Sequence, residues 1–299
     1  MSTKINHNLL SMTAQRALWS TQHELDKSVQ RLSSGLRINY AWDDPTGLGI
    51  SERLRASISG MQEAEKNANY NINMLQTAEG ALAVIDEKLI RMRAIAVQAA
   101  NGILTTLDRQ IANVEFQQLK SEVDRIARVA NYNGFHLLDG SRAAQSPSTD
   151  STLALGYNYI GTAGDANSIK FHIGASNAAG LDYYFINLAG VTASSLGIET
   201  LHVADTASAQ TAIDAIAAAI NSKDIERTFI GSLVNRLQNT VLELKISRET
   251  ATASESTIRD ADFAAEMSEF TRAQILMQTG VAMLTQANML PQTIAQLVG

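Results

Sequence analysis

The chain is 299 residues long, 45% hydrophobic but only 5% aromatic, with three prolines, no cysteine and a formal charge of −6. Without cysteine it can form no disulfide, thiolate nucleophile, Cys-ligated zinc site or iron–sulfur cluster. Its basic residues are dispersed through an acidic chain, which excludes the electrostatic footprint that nucleic acid or an anionic membrane requires.

The length suffices for two domains, and a composition rich in small and aliphatic side chains suits long packed helices. The first residues carry no long apolar run followed by a small-residue cleavage site, so no ordinary secretory signal is expected. Residues 4–36 read as a first helix. Leu18, Leu25 and Leu32 lie seven apart with Val29 and Leu36 on the adjoining row, and Gly35 is placed to take a left-handed cap. A connector follows, in which Tyr40 and Trp42 are expected to pack against a neighbouring helix.

From Asp44 to Ala100 the pattern predicts one uninterrupted helix. Leu54, Met61, Ala68, Leu75, Leu82, Leu89 and Ala96 recur at seven-residue spacing, with Ile58, Ile72, Ala78, Ile85 and Met92 three or four places away. A seam held this long cannot be buried by a lone helix and reads as coiled coil or long bundle. Asp44 is an N-cap and Pro45 sits where a missing N–H costs nothing. Asn101 and Gly102 suit a left-handed turn at the far end. At 1.5 Å per residue this helix is about 85 Å long.

Thr105 and Thr106 can cap a further helix running to about Ala130, with Ala112, Phe116, Leu119, Val123, Ile126 and Ala130 on one face and an antiparallel return along the long helix. The run from Asn131 to Gly134 ends it. Residues 141–165 have loop chemistry, rich in Ser, Ala, Gly, Thr and Asn. Ile169, Phe171 and Ile173, then Tyr184, Ile186 and Leu188, alternate as hairpin strands with one buried face. Helical spacing returns over about 206–250, a third rod placed to lie between the first two. A polar interlude from Glu249 to Thr257 is expected to separate it from the last helix.

That last helix carries no charged side chain after Arg272. Leu276, Met283, Leu290 and Leu297 lie seven apart, with Ala287 and Ile294 between them and Gln, Thr and Asn elsewhere. It is too polar to span a membrane, and its uncharged flanks point to enclosure by other protein, where charge would be costly. The two terminal helices are therefore expected to pair with each other and with neighbouring subunits.

No catalytic, cofactor or metal site emerges. His23 opens a motif that resembles a zinc-protease helix, but Lys27 stands where the second histidine must be. Thr46 to Ser51 holds two glycines without the third glycine, preceding strand or lysine of a phosphate loop. Asp260, Asp262 and Glu266 lack calcium-loop spacing and match the dipole of a helix N-terminus.

Several stretches at both ends carry a family resemblance: Ile5 to Leu10, Ala14 to Leu18, Arg31 to Asn39, Asp43 to Ile50, Gln76 to Leu82, Ala96 to Asn101, Tyr132 to Gly134, Ile258 to Asp262, Gln274 to Leu276 and Gln286 to Gln292. Over roughly 1–140 and 205–299 the chain resembles a bacterial flagellin. The resemblance implies a mainly α fold, a long antiparallel helical rod or coiled coil built from both chain ends, with a small β-hairpin region in the middle. The domains it implies are 1–42 and 255–299 for an inner-tube coiled coil, 43–140 and 205–254 for a helical rod, and 141–204 for a short variable segment. Leu18, Leu25, Leu32, Leu276, Met283, Leu290, Ile294 and Leu297 would then serve inter-subunit, inner-tube packing. It further implies a secreted, non-enzymatic subunit without cofactor, exported through a type III apparatus with a chaperone and polymerising into an extracellular helical filament for motility. Partners would include cap and hook-associated proteins, and a vertebrate innate immune receptor at Arg91, Ile95 and Glu115. A hook–filament junction protein, with similar terminal helices, is the alternative.

Overall fold

The computed structural model describes residues 7–143, 159–161 and 167–298, with side chains described over 7–143 and 167–289. Five helices dominate: α1 (Leu9–Ser34), α2 (Pro45–Ala99), α3 (Thr106–Val129), α4 (Thr206–Arg259) and α5 (Phe263–Val298). The chain divides into two compact units. One comprises Met1–Ser57 with Glu249–Gly299, the other Ile58–Arg248.

Helix ends follow local chemistry. Asn8 caps α1 by accepting from the Ser11 N–H, and Gly35 closes it at φ 71° while its N–H donates to Arg31 O. Asp44 Oδ1 accepts from Gly47 N at 2.8 Å at the start of α2. A Cβ on Gly47 would meet the Asp44 carboxylate and come within 2.8 Å of Ile38 Cδ1, so a larger residue there has to displace those two side-chain ends. The far end of α2 differs from expectation, since neither Asn101 nor Gly102 takes a left-handed conformation. Arg109 does the capping instead, its guanidinium donating to Ala99 O and Asn101 O at 3.0 Å each. A full capping box of Thr105 and Asp108 opens α3.

Within the second unit α2, α3 and α4 share one core. The α2 seam is buried from Ala68 to Ala99, and Phe116, Val123 and Ala127 of α3 and Ala212, Ile216, Ile230, Leu233 and Leu237 of α4 close on it. Helix α3 returns antiparallel to α2, as the pairing of Arg91 with Glu115 shows. Helix α4 is antiparallel to α2 as well, because Asp86, Glu79 and Glu65 meet Lys223, Arg227 and Lys245 in reversed order.

The β structure is small. Strands β1 (Asn131–Tyr132) and β2 (Phe135–His136) pair across Asn133 at φ 51° and Gly134 at φ 82°, a two-residue hairpin turn where α3 was expected simply to end. Strands β3 (Tyr159–Gly161), β4 (Ile169–His172) and β5 (Tyr183–Asn187) form an antiparallel sheet in the order β3-β5-β4. Phe171, Ile173, Tyr184, Ile186 and Leu188 are buried on one face, as the alternation required. Most of the expected 141–165 loop lies outside the described residues.

The polar interlude is not a break. Helix α4 continues through Glu249–Thr257 to Arg259, because no glycine or proline interrupts it and its hydroxyls satisfy their own helix, Ser254 donating to Thr250 O and Thr257 to Ala253 O. The chain turns at Asp260–Asp262 instead, where Asp262 Oδ1 accepts from Ala264 N and Ala265 N to cap α5.

One buried cation interrupts the apolar core. Lys223 is 1% exposed, and its Nζ lies 2.6 Å from both Asp86 Oδ1 and Asp224 Oδ1. Both carboxylates reach solvent while the ammonium does not, so the two halves of the cluster respond unequally to mutation. Replacing Asp86 and Asp224 together by Asn, which strands the cation, is expected to cost about 3–5 kcal/mol, whereas Lys223→Met costs markedly less. Urea unfolding followed by circular dichroism measures both.

The connector contains a second polar clasp. Asp43 accepts from Asn39 N and Tyr40 N and faces Lys27 at 3.4 Å. Burial raises its pKa, but these hydrogen bonds and Lys27 outweigh that effect and leave it below the ordinary 3.8. A depressed carboxylate stabilises above its unfolded value and loses that contribution as pH falls through the folded one. Protection of the Asn39 and Tyr40 amides, taken relative to their intrinsic exchange rates at each pH, should therefore fall only below about pH 3.8, and should be lower at all pH values in Asp43→Asn.

Candidate assembly surface on the terminal helices

Helices α1 and α5 run antiparallel in the first unit. Asn8 Nδ2 donates to Ala287 O at 2.9 Å at one end, and Arg31 meets Glu266 at 3.4 Å at the other. Between them the backbones approach closely, since a Cβ on Gly280 would lie 2.7 Å from Leu18 Cδ2. The α1 face of this contact is Ser11, Ala14, Leu18, Thr21, Leu25, Ser28 and Leu32, each buried or half-buried at alternating intervals of three and four. Facing it on α5 are Glu266, Phe270, Ala273, Met277, Gly280, Leu284 and Ala287, at the complementary four-three spacing.

On α1 the seam includes the expected Leu18, Leu25 and Leu32, but on α5 it is not the row that the leucine spacing suggested. Its centre is the heptad of small residues Ala273, Gly280 and Ala287, offset by three positions from Leu276 and Met283. Those two side chains stay 48% and 61% exposed. Leu18, Leu25 and Leu32 are half-covered by α5 within the subunit. The side chains of Leu290, Ile294 and Leu297 lie outside the described residues. The covered row combines Ala273, Gly280 and Ala287 with Phe270, Met277 and Leu284, each set seven apart, and that second heptad was the signal missed in favour of Leu276 and Met283.

The uncovered surface is extensive. On α1, Leu9, Leu10, Met12, Trp19 and Val29 are exposed; on α5, Phe263, Met267, Ile275, Leu276, Val281, Met283 and Met289 join them. Trp42 does not pack against a helix but stacks on Tyr40 with ring centroids 4.3 Å apart, and both remain exposed. Apolar rows of this extent mark protein-contact surfaces rather than ordinary exterior. After Arg272 no charge interrupts them, yet no described helix is long and apolar enough to cross a membrane.

The connector binds the chain ends together. Arg37 N donates to Arg259 O at 2.7 Å and its guanidinium to Ile258 O at 2.6 Å, Ala261 N returns a bond to Gly35 O, and Ser51 Oγ donates to Glu255. In the second unit Arg91 and Glu115 are exposed and paired at 2.7 Å. Ile95, between them on the sequence-predicted receptor surface, is 2% exposed and belongs to the core, so a partner cannot reach it. Among the described residues no three His, Asp or Glu side chains gather as a metal site.

An antiparallel pair of terminal helices with exposed apolar rows, uncharged on α5 after Arg272, and a three-helix core mark a helical protein built for contact with other protein. Comparison with known proteins makes this specific. The model of the bacterial flagellin N-terminal helical region matches residues 5–143, and that of the C-terminal helical region matches residues 213–298. Flagellin FlaB1 of Treponema pallidum (strain Nichols) is 39% identical over 300 residues, covering 98% of this chain and 99% of its own. A flagellin of Halalkalibacterium halodurans is 37% identical over 294 residues with the same coverage. The structure of a putative flagellar hook-associated protein from Vibrio parahaemolyticus, at 17% identity, covers 73% of this chain and 100% of that one with a TM-score of 0.56, a likeness of fold alone. The chain belongs to the bacterial flagellin family, a family of structural proteins.

The close approach at Gly280 is open to test. Gly280→Leu forces α5 away from Leu18, and overpacking of this kind costs about 1–3 kcal/mol. Limited proteolysis should cut α1 and α5 roughly tenfold faster, while the rod of the second unit resists as before.

Proposed function

We propose that this chain is the structural subunit of a bacterial flagellar filament, polymerising with copies of itself to serve motility. The observation that carries this reading is the α5 row of Leu276 and Met283, charge-free and uncovered when α1 is already in place. Burying each such side chain stabilises an assembly by about 1.5–3 kcal/mol, and a helical polymer multiplies one contact over every subunit. Relatives whose names identify them as flagellins, matched over nearly the whole chain, support the same reading. The hook–filament junction alternative has only a shared fold behind it.

In this reading residues 1–42 and 255–299 line an inner tube, 43–140 and 205–254 form an outer rod, and 141–204 is the short outward segment. Leu18, Leu25 and Leu32 hold α1 to α5 within a subunit, whereas Leu276 and Met283 reach its neighbours. Leu290, Ile294 and Leu297 extend that row in sequence. Export through a type III apparatus, placement outside the cell and contact with cap and hook-associated proteins follow from family membership. An export chaperone that covers the α5 rows before assembly answers the same exposure. Recognition by an innate receptor would rest on the exposed Arg91 and Glu115 without Ile95.

Seeded polymerisation tests the proposal. The double variant Leu276→Lys, Met283→Glu is expected to fall below about one-hundredth of the unmodified elongation rate, two lost anchors being worth at least tenfold each, with an unchanged thermal transition of the three-helix core. A variant that elongates normally, or a chain that never extends beyond a few copies on filament seeds, overturns it.

A further inference from the structure

Apart from Met277, half-buried in the α1–α5 seam, the described methionines differ in exposure between the two units. In the second unit Met61, Met74 and Met92 are buried, at 8% exposure or less. On the terminal helices Met12, Met267, Met283 and Met289 are all exposed, from 39% at Met267 to 61% at Met283. With α1 lying against Ala273, Gly280 and Ala287, the helical spacing of 3.6 residues per turn puts Met267, Met283 and Met289 on the flanks and the outer side of α5. They stand among Ile275, Leu276 and Val281, where a polar group disrupts burial most. Reactivity of a thioether toward peroxide follows exposure, and its sulfoxide is a polar group where an apolar one stood.

We propose that Met12, Met267, Met283 and Met289 are a reversible oxidation site that governs the subunit's competence to assemble. The inference rests on the assembly reading above. Each thioether sulfur takes one oxygen atom from hydrogen peroxide, the O–O bond breaks, and the second oxygen leaves as water; sulfide is oxidised to sulfoxide. A dithiol-dependent methionine sulfoxide reductase reverses the step, its thiols becoming a disulfide as the oxygen departs as water. The free subunit is the vulnerable form. Enclosure in the polymer covers the same sulfurs, so subunits joined before exposure keep their thioethers and oxidised subunits are refused.

The test uses the full chain, hydrogen peroxide and peptide mass mapping, with elongation of filament seeds as the second readout. Met12, Met267, Met283 and Met289 of the free chain should gain oxygen at least about tenfold faster than Met61, Met74 and Met92, and should be protected in filaments. The oxidised chain should elongate seeds at least about tenfold more slowly for each sulfoxide buried at a contact, and recover after treatment with the reductase. The variant carrying Leu at all four positions should elongate seeds at the same rate before and after peroxide, each treated sample being compared with its own untreated one. Equal oxidation rates at these four and at Met61, Met74 and Met92, normal elongation by the oxidised chain, or equal peroxide sensitivity in the four-Leu variant overturns the proposal. If the untreated chain itself fails to elongate, the assembly reading falls and this inference with it; an untreated chain that elongates and an oxidised chain that elongates equally well count against this inference alone.

Discussion

A helix can bury only one stripe against one partner, and α5 carries two. Ala273, Gly280 and Ala287 let its backbone settle onto α1, which turns Leu276 and Met283 outward. Phe270, Met277 and Leu284 flank those small residues in the covered row, while Leu276 and Met283 are left as apolar area outside it.

The second unit closes its main seam within the chain, although Ile90, Val97, Ile111 and Val114 stay exposed on its outer faces. Its α2 seam is almost fully enclosed by α3, α4 and the sheet, and its cations and anions pair along the helix edges. Local stability there needs no other copy, in keeping with a rod that is complete before assembly. The same polypeptide thus contains a finished core and an unfinished pair, with the connector hydrogen bonds of Arg37, Ser51 and Arg259 drawing the two chain ends of the first unit together.

Much of this was legible in the residues, and the failures have physical causes. Leu75, Leu82 and Leu89 announce a buried seam because seven-residue spacing of large side chains has no other economical explanation, and Gly35 and Thr105 mark helix ends through their capping chemistry. The segment Glu249–Thr257 looked like a linker because Ser and Thr are common in loops, yet hydroxyls that bond the carbonyl four residues back sit comfortably in a helix that lacks glycine and proline. Asn133 and Gly134 were a hairpin signal whose strands, two residues each, are too short to show alternation. For the assembly surface, charge and spacing revealed that α5 needs partners. They did not reveal which row its own chain would take, because the heptad of Phe270, Met277 and Leu284 competes with that of Leu276 and Met283. Ile95 shows the limit of carrying a role over by position: its place in the α2 seam put it inside the core.

The ammonium of Lys223 has a mechanical corollary. Apolar helices packed side by side can slip, since a shift of one turn sets one apolar row against the next. Moving α4 by one turn along α2 would take Lys223 from Asp86 and set its charge beside Leu82 or Ile90, a mismatch that a continuous greasy interface would never register. The alignment of the two helices is thereby indexed at Lys223, with Arg227 on Glu79 and Lys245 on Glu65 as further marks along the same edge.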